Sequence, residues 1–227
     1  MKKFIVAAVA AVCALGVSAQ RASDTGEFSF WDGDKTEQKI VIGPRVGLNI
    51  SPLSMKEGNY SYSPDSKVGF NAGVAVEFPI VRSFYVNTGL FYTTKGCKIK
   101  DDGDEEKIDL GYLSLPLYAS YRLNFAEQSQ LQVNFGPYFA YGVNGKDKYT
   151  DSDGDKYEQD AFGTKEGQAG LKRFDCGLGF GLGYTFSRIY LGLEYQLGLT
   201  NIADKKAWDK DTSIKTRNFS ISVGYNF

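Results

Sequence analysis

The chain has 227 residues, a formal net charge of −1 and no histidine, and it is rich in tyrosine (15), phenylalanine (16) and glycine (26). Without an imidazole, Ser-His-Asp and Cys-His catalysis are excluded and the commonest zinc ligand is missing; the near-neutral charge argues against nucleic acid as a partner. Aromatic residues and glycine in this balance favour many short strands, an all-β class.

Residues 1–19 carry Lys2 and Lys3, an apolar run from Phe4 to Val17, and then Val17-Ser18-Ala19. This is the pattern of a secretory signal peptide cleaved after Ala19. The run is shorter than the about 20 residues a spanning helix needs. Cys13 lies inside it, so ordinary cleavage fits better than lipidation. Residues 20–39 are polar and aperiodic and read as a flexible periplasmic extension. Within it, Phe28, Phe30 and Trp31 are suited either to docking on a periplasmic partner or to capping a barrel mouth.

From residue 40 the chain divides into eight segments of period-two alternation: 40–50, 67–78, 84–94, 108–122, 131–143, 174–186, 189–200 and 218–227. The last is the clearest, with Phe219, Ile221, Val223, Tyr225 and Phe227 on one face and Asn218, Ser220, Ser222, Gly224 and Asn226 on the other. Such strands separate two unlike surroundings. Pro44, Pro116 and Pro137 each remove a ladder donor and weaken the register locally.

The connections alternate long and short. Residues 51–66, 95–107, 144–170 and 201–213 are long; 79–82, 124–130 and 187–188 are short. That alternation, with both barrel ends in the periplasm, is the outer-membrane arrangement. Residues 40–227 are therefore expected to form an eight-stranded antiparallel transmembrane β-barrel with four long outer loops and short periplasmic turns. A lipocalin-like soluble barrel would turn its apolar face inward instead. Against it stand the aromatic residues near strand ends, among them Phe78, Phe84, Tyr121, Phe125, Tyr184, Phe186, Tyr225 and Phe227.

If the apolar face meets lipid, Arg45, Glu77, Arg122, Asp175 and Glu194 point inward, with Lys95 and Arg173 nearer the outer rim. So narrow a lumen tolerates charges only when they are paired, so these residues are expected to form a structural network that plugs the barrel. Inner-face glycines would make room for Tyr118, Tyr138 and Tyr190. No catalytic or cofactor-binding set is recognisable, and none for a metal. The acidic clusters at 101–106 and 151–158 depart from the EF-hand pattern, since Gly154 falls fourth and the twelfth position is Phe162. Solvated loops are the expectation there, with calcium binding the lesser alternative. Cys97 and Cys176 read as isolated strand residues, a disulfide being the lesser alternative.

Gly43-Pro44-Arg45-Val46-Gly47-Leu48-Asn49-Ile50-Ser51, Tyr112-Leu113-Ser114-Leu115-Pro116-Leu117, Phe174-Asp175-Cys176-Gly177-Leu178-Gly179, Tyr195 to Ile202 and the closing Gly224-Tyr225-Asn226-Phe227 together resemble the PorT-type outer membrane β-barrel family of the Bacteroidetes. The resemblance implies an outer membrane location and an eight-stranded barrel; one branch of that family takes part in type IX protein secretion. Outer membrane lipids are the expected partners, together with the barrel-assembly machinery through the C-terminal strand and an extracellular or periplasmic protein. The favoured role is non-catalytic, structural or surface-interacting through the long loops. An accessory secretion component is the alternative, and a narrow pore the weaker one.

Overall fold

The computed structural model describes residues 39–58, 60–62, 64–81, 83–101, 104–126, 129–151 and 155–227. The expected signal peptide, and the periplasmic extension as far as residue 38, lie outside the described residues, as do Phe28, Phe30 and Trp31.

Among the described residues twelve strands form: β1 (Val41–Ser51), β2 (Leu53–Glu57), β3 (Tyr60–Tyr62), β4 (Asp65–Val81), β5 (Phe84–Asp101), β6 (Asp104–Ala126), β7 (Ser129–Thr150), β8 (Lys156–Phe162), β9 (Gln168–Leu171), β10 (Phe174–Phe186), β11 (Ile189–Gly198) and β12 (Thr212–Tyr225). Antiparallel pairing runs β1–β4–β5–β6–β7–β10–β11–β12, and β12 pairs back onto β1, with Arg45 opposite Gly224 and Ile50 opposite Phe219. Hydrogen bonding thus returns to the strand where it started. Among the described residues only β8 and β9 pair in parallel.

The two faces of this circuit are inverted relative to a soluble protein. On β12, Phe219, Ile221, Val223 and Tyr225 are exposed while Thr216, Asn218 and Ser220 are buried. On β10, Phe174, Leu178, Phe180, Leu182, Tyr184 and Phe186 are exposed, and Asp175 is wholly covered. So continuous an apolar exterior far exceeds the patches a water-soluble monomer sustains, and a polar interior is what lipid outside requires. No helix among the described residues is long and apolar enough to cross a membrane.

The apolar-out, polar-in alternation predicts the central part of each strand of the circuit. The connections differ from expectation: the eight anticipated strands become twelve because the long loops are themselves largely strand. β5 and β6 continue through the expected loop 95–107 and remain paired up to Asp101 opposite Asp104. The region 144–170 contains the end of β7 with β8 and β9, and 51–66 contains β2 and β3. Beyond the apolar band the outer face carries charges instead, while the inner face stays apolar at Cys97, Ile108 and Leu110. A strand there has lost its lipid-facing pattern but keeps its ladder.

Pro116 leaves its mark on the sheet. The ladder between β5 and β6 keeps its register but is interrupted between Thr88–Leu117 and Phe91–Ser114, and the Thr88 hydroxyl donates to the Pro116 carbonyl at 2.7 Å. A side chain substitutes there for a regular ladder contact.

Candidate functional site

The interior is arranged in tiers along the axis. Nearest the short turns, Glu77 on β4 is 1% exposed and lies between two arginines. Arg45 Nη2 on β1 donates to its Oε1 at 2.5 Å, and Arg122 on β6 pairs with its Oε2. Each guanidinium also stacks on a tyrosine, Arg45 over Tyr190 at 3.4 Å and Arg122 over Tyr85 at 3.6 Å. Delocalised, weakly hydrated guanidinium suits this dry setting better than an ammonium would.

In the middle tier Glu194 accepts hydrogen bonds rather than meeting a cation. Tyr118 Oη donates to its Oε1 at 3.1 Å and Gln196 Nε2 at 2.7 Å. A cavity of about 60 Å³ lies beside it, lined by Arg45, Asn71, Asn87, Tyr118 and Gln196 among others. That is space for a few water molecules. Ser114 Oγ and Gln196 Oε1, on lining residues, have no protein hydrogen-bond partner.

Higher still, Asp175 on β10 gathers three donors on Oδ2: Lys95 Nζ at 3.2 Å, Tyr138 Oη at 3.2 Å and Thr216 Oγ1 at 2.7 Å. Both Lys95 and Asp175 have fully buried side chains. The Lys95 ammonium also faces the rings of Tyr138 and Tyr112, at 4.7 and 5.3 Å.

Above this tier, at the end away from the short turns, lies an apolar cluster. Phe162, at the end of β8, is 2% exposed and packs edge-on against Tyr112, with centroids 5.7 Å apart. Leu53, Ile108, Leu110, Leu171, Ile202 and Ile214 belong to the same buried cluster. Glycine at 142 is required by this arrangement, because a side chain there would occupy the place of the Phe162 ring. Arg173 sits at the rim, donating to the Gly142 carbonyl at 2.9 Å with its guanidinium 5.1 Å from the Phe162 ring.

The family model for an outer membrane protein beta-barrel domain matches residues 19–204. The chain belongs to that family. Solved structures resemble this outer membrane β-barrel protein at low identity. OprG from Pseudomonas aeruginosa matches at 13% identity and TM-score 0.48, over 83% of this chain and 95% of that one. Ail, the attachment invasion locus protein of Yersinia pestis, matches at 17% identity and TM-score 0.44, over 84% and 100%. Neisserial surface protein A matches at 11% and 0.41, over 81% and 97%. Among curated proteins none matches. The outer membrane is the place of the protein.

The five charges singled out from the sequence are distributed over three tiers of this outer membrane protein. Glu77 joins Arg45 to Arg122, Asp175 is held by Lys95, and Glu194 rests on neutral donors. Lys95 belongs to the interior rather than to the rim; it continues the inward parity of Thr93, a signal visible once β5 is read past residue 94. The tyrosines and Thr216 that complete the shells carry no charge and escape a search for charges. Cys97 and Cys176 are free, the first buried inside and the second on the opposite face. No metal-binding group of acidic, histidine or cysteine residues occurs among the described residues.

Proposed function

We propose that the eight strands of the closed circuit span the outer membrane as a plugged, non-catalytic barrel, and that its role is structural or surface-interacting through the segments outside the bilayer. The observation that carries this reading is the filled axis: two tiers of buried ion pairs, a hydrogen-bonded glutamate between them, and an apolar cluster at the outer end. Eight strands enclose a space that side chains fill, and here they do so with charges that would be costly to separate. The interior charges therefore serve to hold the barrel wall in register. The same filling opposes the narrow-pore reading.

With the lumen occupied, the surfaces left for contact are the hairpin of β5 and β6, the β7–β8–β9 unit, β2 with β3, and the segment 199–211. These are the four outward excursions of the proposed topology. The two-residue turn at Ser187–Arg188, where Ser187 has a φ of 55°, lies at the periplasmic end. Aromatic pairs mark that end on the lipid face, with Phe84 and Tyr121 centroids 4.9 Å apart and Tyr225 and Phe227 5.2 Å apart.

The test is refolding of residues 20–227 into detergent, followed by electrophoresis with and without boiling and by planar-bilayer recording. A faster-migrating unboiled band and no unitary conductance are expected. A heat-independent band with a monodisperse, detergent-free protein would refute the membrane barrel, and stepwise conductance would refute the plug. For secretion, the discriminating measurement is export of surface proteins in a deletion strain, which this reading expects to be normal.

A further inference from the structure

On the outer face of the sheet, above the apolar band, Lys98 of β5 lies directly opposite Lys107 of β6, which lies directly opposite Lys148 of β7. Like charges in facing positions, with Cβ atoms only about 5 Å apart, destabilise a sheet. The row is bounded by Asp65 opposite Lys98 and Glu158 opposite Lys148. Lys107 reaches Glu105 at 2.6 Å and Lys148 reaches Glu158 at 3.5 Å, while Lys98 has no ion pair among the described residues. The centre of the row is a cationic strip.

Directly below it the β4–β5 ladder is broken. The register jumps from Ser66–Cys97 to Asn71–Thr93, and the Thr94 hydroxyl bridges the gap to the Phe70 backbone, accepting from its amide at 2.8 Å. The extra residue carries Lys67 outward over Gly96 to pair with Asp109, the way a bulge re-aims a side chain. Lys98, Lys107 and Lys148 all act electrostatically on Lys67. The break opens a cavity of about 260 Å³ in the wall, lined by Lys67, Val68, Phe70, Tyr92, Thr94 and Asn144 among others. Val68 and Phe70 are 66% and 50% exposed, so its lower side is apolar and faces the lipid. From Tyr92 to Lys98 the strand rises six residues, about 20 Å along a strand tilted by roughly 40°, which places Lys98 about 15 Å above Tyr92.

We propose that this wall pocket and the lysine strip above it bind a phosphorylated glycolipid of the outer leaflet, its acyl chain against Val68 and Phe70 and its phosphate esters on Lys67, Lys98, Lys107 and Lys148. The inference rests on the membrane orientation proposed above. Apolar surface and cationic strip stand in the vertical order of an anionic lipid's tail and headgroup. An anion on the strip would also relieve the facing-lysine repulsion, which the protein's own carboxylates leave in place at Lys98.

The test uses the full mature chain in phosphatidylcholine nanodiscs doped with bisphosphorylated or fully dephosphorylated lipid A, with bound lipid counted by native mass spectrometry. The bisphosphorylated form is expected to bind preferentially. Juxtamembrane lysines contribute roughly fivefold each near an anionic surface, so Lys98→Gln, Lys107→Gln and Lys148→Gln together should reduce that preference by about a hundredfold. The corresponding three arginine substitutions should retain it. Val68→Ser with Phe70→Ser should weaken binding of both lipids. Equal binding of the dephosphorylated lipid, full retention by the glutamine variant, or displacement of the lipid by millimolar inorganic phosphate alone would each overturn the proposal. Heat-modifiable mobility of the same samples reads the barrel separately, so a failed lipid site and a failed barrel are distinguishable.

Discussion

Replacing Glu77 with glutamine removes the one carboxylate that joins Arg45 to Arg122 and leaves two guanidinium groups facing each other in a space from which water is largely excluded. The Arg45 and Glu77 side chains are 6% and 1% exposed, and that of Arg122 is 5% exposed. Breaking a buried pair by removing one partner costs about 3–5 kcal/mol, a factor of roughly 10² to several 10³ in the unfolding equilibrium. The stacking of the arginines on Tyr190 and Tyr85 survives, so the lower end of that range is expected. The charged trio replaced as a set, Arg45→Met with Glu77→Leu and Arg122→Met, should be close to neutral or stabilising, because no buried charge is then uncompensated. Urea unfolding of the refolded chain in micelles, followed by far-UV circular dichroism, measures both. A Glu77→Gln cost below about 1 kcal/mol, or a triple variant weaker than the single one, would refute the argument that this tier is held by mutual compensation.

Three further outcomes are expected. Phe162→Ala should cost about 3–5 kcal/mol locally, seen as faster amide exchange in β8 and β9 with unchanged protection of the β1–β12 pairs. Gly179→Ala would put a methyl where the Tyr118 hydroxyl sits; overpacking of this kind costs about 1–3 kcal/mol and should lower the urea midpoint. Burial and the neighbouring Asp147 push the Glu106 carboxyl up to about 7 from its ordinary 4.5. A raised carboxyl pKa means the folded hairpin holds its proton more tightly, so its contribution is complete below pH 4.5 and lost as pH rises to 7. Amide protection in the outer part of β5 and β6 should therefore fall between pH 5 and pH 8, and Glu106→Gln should remove the change.

The wall of the barrel was legible because lipid outside and a polar lumen inside impose opposite demands on alternate residues, as Phe219 to Phe227 illustrate. The excursions were less so, because outside the bilayer that contrast disappears. At Lys98 and Lys107 the outer face is charged, and only the inner Cys97, Ile108 and Leu110 still mark the strand. The apolar lid was hidden for another reason: Leu53, Phe162 and Ile202 lie far apart in sequence and meet only through tertiary packing. Charge alone singled out Arg45, Glu77, Arg122, Asp175 and Glu194 in the sequence. Which of these charges Tyr118, Tyr138 and Thr216 would meet required the register to be known.

The pairing of β1 with β12 joins the two extremes of the folded chain. All the other contacts of the circuit join strands closer in sequence, so the seam carries the largest loop-closure cost. Until it forms, β1 and β12 are open edges with apolar faces, the condition in which sheets add to one another. A chain of this design is therefore exposed to aggregation for as long as its C-terminal strand is not in place.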